Sequence, residues 1–234
     1  MVTPRGVSQR PFYIGVSLLM GLIAVVGFWP TYFGPLVRGT VEQPPVIHVH
    51  ATIFVGWLVL FLAQVVLAAT GRVAWHLRLG RLGIGYGVVV ILVGLTTTVV
   101  RSSNLFYEGS IAGARQLLIA GSEDMVVFAA FFVAAIVYRR KPQIHKRLMM
   151  VAATMLLIAA ASRMQFLPPL PLRLAVWASP VFLAMAYDFR SRHLVHPIYL
   201  VGLGAFLVRA VTPRLIAGTE TWAAFARWVF ALAA

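Results

Sequence analysis

Seven long apolar runs decide what solvent this chain can fold in. They cover residues 12–33, 46–70, 82–100, 124–138, 148–167, 172–187 and 197–211. A bilayer core about 30 Å thick is crossed by about 20 apolar residues at helical rise, and the runs approach that length. The fourth, sixth and seventh are short, so their ends are placed only to within several residues. Of the 234 residues, 61% are apolar and 11% are charged, against roughly 25% charged in a soluble domain. A polar shell cannot be built from so few groups. A soluble enzyme, a disordered tail and a fibrous repeat are excluded. The expected fold is an all-α, polytopic bundle of about seven spans.

The first run could be mistaken for a signal peptide. It is too long for an apolar signal core, and it ends in Trp29-Pro30-Thr31-Tyr32 with no small-residue cleavage site, so a retained helix is expected.

The net charge of +14 comes from 20 Lys and Arg against 6 Asp and Glu. Such a balance would fit nucleic acid, but the cations sit between apolar runs. The expected partner is the bilayer, with anionic head groups meeting the cations on the cytoplasmic side. Lys and Arg collect in cytoplasmic loops. Arg5 and Arg10, Arg72, Arg78 and Arg81, Arg139 to Lys141 with Lys146 and Arg147, and Arg190 with Arg192 make twelve on one side, and eight remain for the other. The N-terminus is therefore expected inside.

Residues 1–213 are read as one seven-helix domain and 214–234 as an amphipathic tail. Thr219 can cap a helix. Trp222, Phe225, Ala226 and Val229 then follow at helical spacing, as for a helix lying on the outer interface. About 13 residues are too few to cross. The 101–123 stretch is expected to be the longest connection, a candidate lid or docking surface, with 111–118 as a short surface helix.

The chain has no Cys, which removes thiolate metal sites, iron–sulfur clusters and Cys nucleophiles. Ionisable groups within the runs are costly and call for partners. An outer belt collects His50, Asp124, Arg163 and Arg209, with Arg101 and Glu123 nearby. It is expected to form a small polar pocket in which Asp124 pairs with Arg163 and His50 faces them. Such a pocket could move a proton, hold a metal, or bind a small anion or a quinone head group. The plain alternative is a structural ion pair with interfacial His. His48 and His50 diverge by about 200° on a helix, so no two-His chelate and no metal site is expected.

An inner belt is more regular. His76, His145 and His196 each precede an odd-numbered helix. Two of them could ligate a b-type haem, or all three could be interfacial residues meeting head groups. The His-rich clusters of membrane di-iron oxygenases and the spacing of seven-helix zinc hydrolases are not matched. Pro180, Gly202 and Gly204 loosen two helices, as in small transporters.

Further features are His50-x6-Trp57 with Gln64, Gly71-Arg72-Val73-Ala74-x-His76-x-Arg78-Leu79-Gly80, Asp124, His145-Lys146-Arg147-Leu148-Met149, Val195-His196-Pro197 and Thr219-x-x-Trp222-x-x-Phe225. On these the chain resembles a family of uncharacterised bacterial multi-pass inner-membrane proteins. Its helix entrances are also loosely similar to those of membrane factors that assist terminal oxidase assembly. The resemblance implies a bacterial inner membrane and leans toward respiratory or haem-linked roles, while small size, short loops, an apolar exterior and the lack of a strong catalytic constellation point to an accessory or assembly subunit of a larger respiratory or energy-transducing complex. A haem, redox or proton-handling protein and a small transporter stay open.

Overall fold

The computed structural model describes residues 9–167 and 169–233. Among these every regular element is helical. Helix α1 (Gln9–Phe28) passes through a π-helical turn (Trp29–Phe33) into the short α2 (Gly34–Val37). Then come α3 (Pro45–Ala69), α4 (Val73–Tyr107), α5 (Ile111–Val137), α6 (Pro142–Met155) and α7 (Ile158–Ser162). The chain ends in α8 (Leu170–Arg192), α9 (Pro197–Ile216) and α10 (Glu220–Leu232). Seven stretches are long and apolar enough to cross a bilayer: 11–37, 45–69, 73–107, 111–137, 142–162, 170–192 and 197–216. Arg5 of the sequence argument lies outside the described residues.

Proline punctuates these helices. Pro45, Pro142, Pro171 and Pro197 sit in first turns, where the missing N–H costs nothing. Pro30 sits inside the first span, and the wider π turn there keeps a hydrogen bond from the Gly34 N–H to the Trp29 carbonyl. A π turn is a common way to absorb such a break.

The expected long connection at 101–123 is not a loop. Helix α4 runs on to Tyr107 and α5 begins at Ile111. The turn between them is tight because Gly109 adopts φ +89°, open to glycine but strained for other residues. Helix α4 is thus about 52 Å long at 1.5 Å per residue, longer than the hydrocarbon core it crosses. Helix α9 also outruns its apolar run, passing through Pro213 to Ile216. Helices α4 and α5 pack closely, with the Phe132 ring lying where a side chain on Gly87 would be.

The fifth run is not one helix. Helix α6 stops at Met155, two residues intervene, and α7 ends at Ser162. A break at this depth frees backbone carbonyls, which must find donors in a membrane. The indole N–H of Trp177 on α8 donates to the Thr154 carbonyl at 2.9 Å. The Leu157 N–H donates to the same oxygen at 3.0 Å.

Helix α6 is the most enclosed span, and its charge is the surprise. Arg147, expected among the loop cations, has a side chain 0% exposed and pairs with Asp188 of α8, 2% exposed. Its Nε donates to Oδ2 at 2.9 Å and Nη2 to Oδ1 at 2.6 Å. Nη1 donates to the Gln143 carbonyl and side-chain oxygens at 2.6 and 3.1 Å. The Tyr199 ring of α9 lies 5.9 Å from the guanidinium carbon. Of the other cations at this end, Arg72, Arg78, Arg81, Arg139 to Lys141, Arg190 and Arg192 are exposed, and Lys146 is half-buried over the Tyr13 ring.

At the opposite end, α10 is capped as expected: the Thr219 hydroxyl accepts from the Trp222 N–H at 3.4 Å. The helix is held to the projecting ends of α4 and α5. Ala226 and Phe230 pack with Ala114 and Leu118. The Trp222 indole N–H donates to the Arg115 carbonyl at 3.0 Å, and the Tyr107 hydroxyl donates to the Phe230 carbonyl at 3.2 Å. This end is called the α10 end below, and the other the basic end.

Removing one partner of a buried pair strands the other charge, at a cost of about 3–5 kcal/mol. Asp188→Asn is expected to lower stability by that amount in detergent, read by Trp fluorescence during unfolding in mixed micelles. The double variant Arg147→Met/Asp188→Leu is expected to recover most of the loss. A double variant as unstable as Asp188→Asn would contradict a cost arising from the stranded charge.

Candidate functional site

The polar groups that the sequence places in the outer belt do converge at the α10 end, but with different partners. Asp124 of α5 does not pair with Arg163. Its carboxylate accepts the Nε and Nη2 of Arg209 from α9, the second at 3.2 Å. The two side chains are 12% and 15% exposed for Arg209 and Asp124. Helices α5 and α9 pack directly, whereas Arg163 follows the end of α7. There its guanidinium lies over the Phe28 ring of α1, 4.9 Å from the centroid, and Nη1 donates to the Ala159 carbonyl at 2.8 Å. Glu123 lies within electrostatic reach of Arg209.

Two cavities meet at these residues. The larger, about 480 Å³, is lined by His50, Thr97, Thr98, Arg101, Asp124 and Arg163 among apolar side chains such as Phe28, Phe54 and Met125. The smaller, about 390 Å³, is lined by Gln116, Asp124, Arg163, Arg173, Arg209 and Arg214, with Leu170, Leu174 and Trp177. Asp124 and Arg163 belong to both. Leu156 and Leu157 of the α6–α7 break, with Ala159 and Ala160 of α7, form part of the larger wall, in keeping with irregular backbone at membrane depth facing a cavity.

His50 enters the larger cavity and His48 does not, as their divergence on a helix requires. The His50 ring stacks on Phe54 one turn later, centroids 4.0 Å apart, and its Nδ1 is buried without a hydrogen-bond partner. His48 instead meets the Tyr32 hydroxyl through Nδ1 at 2.9 Å. Among the described residues no three His, Asp or Glu gather to hold a metal ion.

The inner His separate into two places. His196 caps α9, its Nδ1 accepting from the Ile198 N–H at 3.4 Å. Burial and the nearby Arg147 hold its imidazole below the usual His range. His145 donates from Nδ1 to the Ala135 carbonyl at 2.8 Å and lies within electrostatic reach of His76. The Gln64 amide, turned so that its nitrogen faces His76, donates to His76 Nδ1 at 2.6 Å and accepts from the Gly80 N–H at 2.7 Å. Neither cavity is lined by any of the three.

Sequence reasoning missed Arg173 and Arg214 as site residues and counted them as scattered outer charge. It also missed the Arg147–Asp188 pair. A signal for that pair was present: Asp188 is a lone acid at the very end of an apolar run, and such a group demands a partner.

The arrangement can hold negative charge. Four guanidiniums and one carboxylate line the smaller cavity, and two guanidiniums with the same carboxylate line the larger. The carboxylate is already engaged by Arg209, so both surfaces keep an excess of donors. Compared with family models, curated proteins and solved structures, the chain matches none.

A double-mutant cycle checks the pairing. Asp124→Asn and Arg209→Gln are expected to be non-additive in detergent unfolding by about 1 kcal/mol or more. Asp124→Asn and Arg163→Gln should couple less. A stronger coupling to Arg163 would refute the pairing.

Proposed function

We propose that this chain is a bacterial inner-membrane protein that holds an anionic group in the cavity pair at the α10 end. In this proposal it serves as an accessory or assembly subunit of a larger membrane complex. The observation that carries the binding function is the imbalance of charge: arginines from α4, α8, α9 and the segment after α7 face cavities whose lining includes one carboxylate, already paired. Arg163 and Arg214 are exposed and Arg101, Arg173 and Arg209 half-buried; guanidiniums near the ends of spans are costly without a partner, and a bound anion supplies the missing charge. Arginine is suited to this because its planar fork of donors fits oxyanions.

The location is supported by the exposed cations at the basic end, which match the bias of cytoplasmic loops and suit contact with anionic head groups. The resemblance of the His76 and His145 segments to bacterial multi-pass proteins agrees with it; the accessory role rests on the small size, short loops and apolar exterior. The interrupted α6–α7 helix beside the larger cavity supports a transport version of the same binding function, since broken helices border many transporter sites. A redox reading, with b-type haem at His76 and His145, is favoured by their proximity and by the engaged Nδ1 of His145, which orients Nε2 as a ligand would need. A reduced-minus-oxidised spectrum lacking a haem band would eliminate that reading.

Purified protein in neutral detergent is expected to bind inorganic phosphate in calorimetry. Arg163→Gln, which alters both cavities, should weaken this about tenfold, and unchanged affinity would count against the site. Orientation is tested separately: a reporter active only in the cytoplasm, fused after Ala234, should be silent. Activity there would reverse the assigned orientation.

A further inference from the structure

We propose that the smaller cavity binds a phosphate monoester head group carried by an amphiphile that enters from the surrounding bilayer. This rests on the anion-binding function above and adds the chemistry of the head and the presence of a chain. Charge selects the head. Arg163, Arg173, Arg209 and Arg214 face the void with Asp124 as the opposing carboxylate, an excess of three positive charges in the lining itself, with Glu123 outside the lining but within electrostatic reach of Arg209. A carboxylate ligand would leave two of these uncompensated. A phosphate monoester carries about −1.5 to −2 at neutral pH and offers three acceptor oxygens.

The donors are held in place. Arg163 Nη1 is tied to the Ala159 carbonyl and Arg173 Nη1 to the Ser162 carbonyl at 3.2 Å, while Arg214 Nη1 returns to the Ala210 carbonyl of its own helix. These bonds use one or few of the five N–H groups that each guanidinium carries. The Arg173 Nε is buried with no partner. Arg209, anchored by Asp124, completes the wall.

The apolar part of the lining selects a chain. Leu170, Leu174 and Trp177 continue the wall from α8. Close in sequence to lining residues, Phe166, Leu172 and Leu215 are 62%, 45% and 70% exposed, apolar side chains that surrounding lipid would cover. Arg209 sits seven residues before the end of α9, about 10 Å along the helix at 1.5 Å per residue. The guanidiniums thus reach from the helix ends inward, so a head group bound among them is drawn below the plane of the bulk head groups while its chain stays in the leaflet.

The test compares three probes on the full chain in neutral detergent: lysophosphatidic acid, inorganic phosphate and lysophosphatidylcholine. Lysophosphatidic acid is expected to bind at least tenfold more tightly than either of the others. Arg173→Gln and Arg214→Gln should each weaken it about tenfold. Leu174→Gln should weaken lysophosphatidic acid and leave inorganic phosphate unchanged. Arg227→Gln on α10 should change nothing. If Arg173→Gln does not survive purification, Arg173→Lys, which keeps the charge and loses the fork, should show a partial loss. Equal affinity for lysophosphatidic acid and inorganic phosphate would overturn the amphiphile while leaving anion binding intact. Binding of neither would overturn both. Equal weakening by Arg173→Gln and Arg227→Gln would overturn the placement in this cavity.

Discussion

Arg147 and Asp188 form an ion pair in the interior of a helical bundle, away from water, and the surrounding structure is arranged to satisfy it. Four of the five guanidinium donors are used: two on the carboxylate, and Nη1 on the Gln143 carbonyl and side chain. The Gln143 side chain also accepts from Arg192 at 2.9 Å, tying the start of α6 to the last turn of α8. Tyr13 and Tyr199 bring their rings and hydroxyls to the same place from α1 and α9. Desolvating both charges is expensive, and the cost is offset only by close geometry and complete hydrogen bonding. Helices α6 and α8 are therefore fixed in mutual register at this level.

That register has a consequence at the other end. With α6 and α8 locked near Arg147, Trp177 of α8 falls beside Thr154 and supplies the donor that the interrupted helix needs. Beyond the break, Arg163 follows the end of α7, lies over the Phe28 ring of α1 and lines both cavities. Charge is handled differently at the two ends: at the basic end the buried pair is neutralised within the bundle, and at the α10 end the cavity linings keep an excess of arginines.

The sequence showed the spans well and their ends poorly. The seven apolar runs became seven spans because apolar length is a local property. The stretch 101–123 looked like a loop because Arg101, Glu108 and Arg115 interrupt the hydropathy. Helical hydrogen bonding continued past them since α4 and α5 support one another and α10 covers their ends. The cap at Thr219 was legible, being a contact over three residues. Arg147 was misplaced because a cation in His-Lys-Arg resembles a loop residue until its distant partner is known. Asp124 was recognised as a paired acid, and the wrong arginine was chosen because similar depth does not say which helices are neighbours.

Composition and run length alone determined the solvent, the helical class and the number of spans, since each follows from transferring a short segment into hydrocarbon. The pairing of charges was decided only by the packed bundle. Asp124 and Arg209 are 85 positions apart, and Arg147 and Asp188 are 41 apart. Whether such groups meet depends on which helices are adjacent and how they are rotated. Those are properties of side-chain packing between segments, and no local periodicity records them. The cavity that collects the remaining arginines is a product of the same packing.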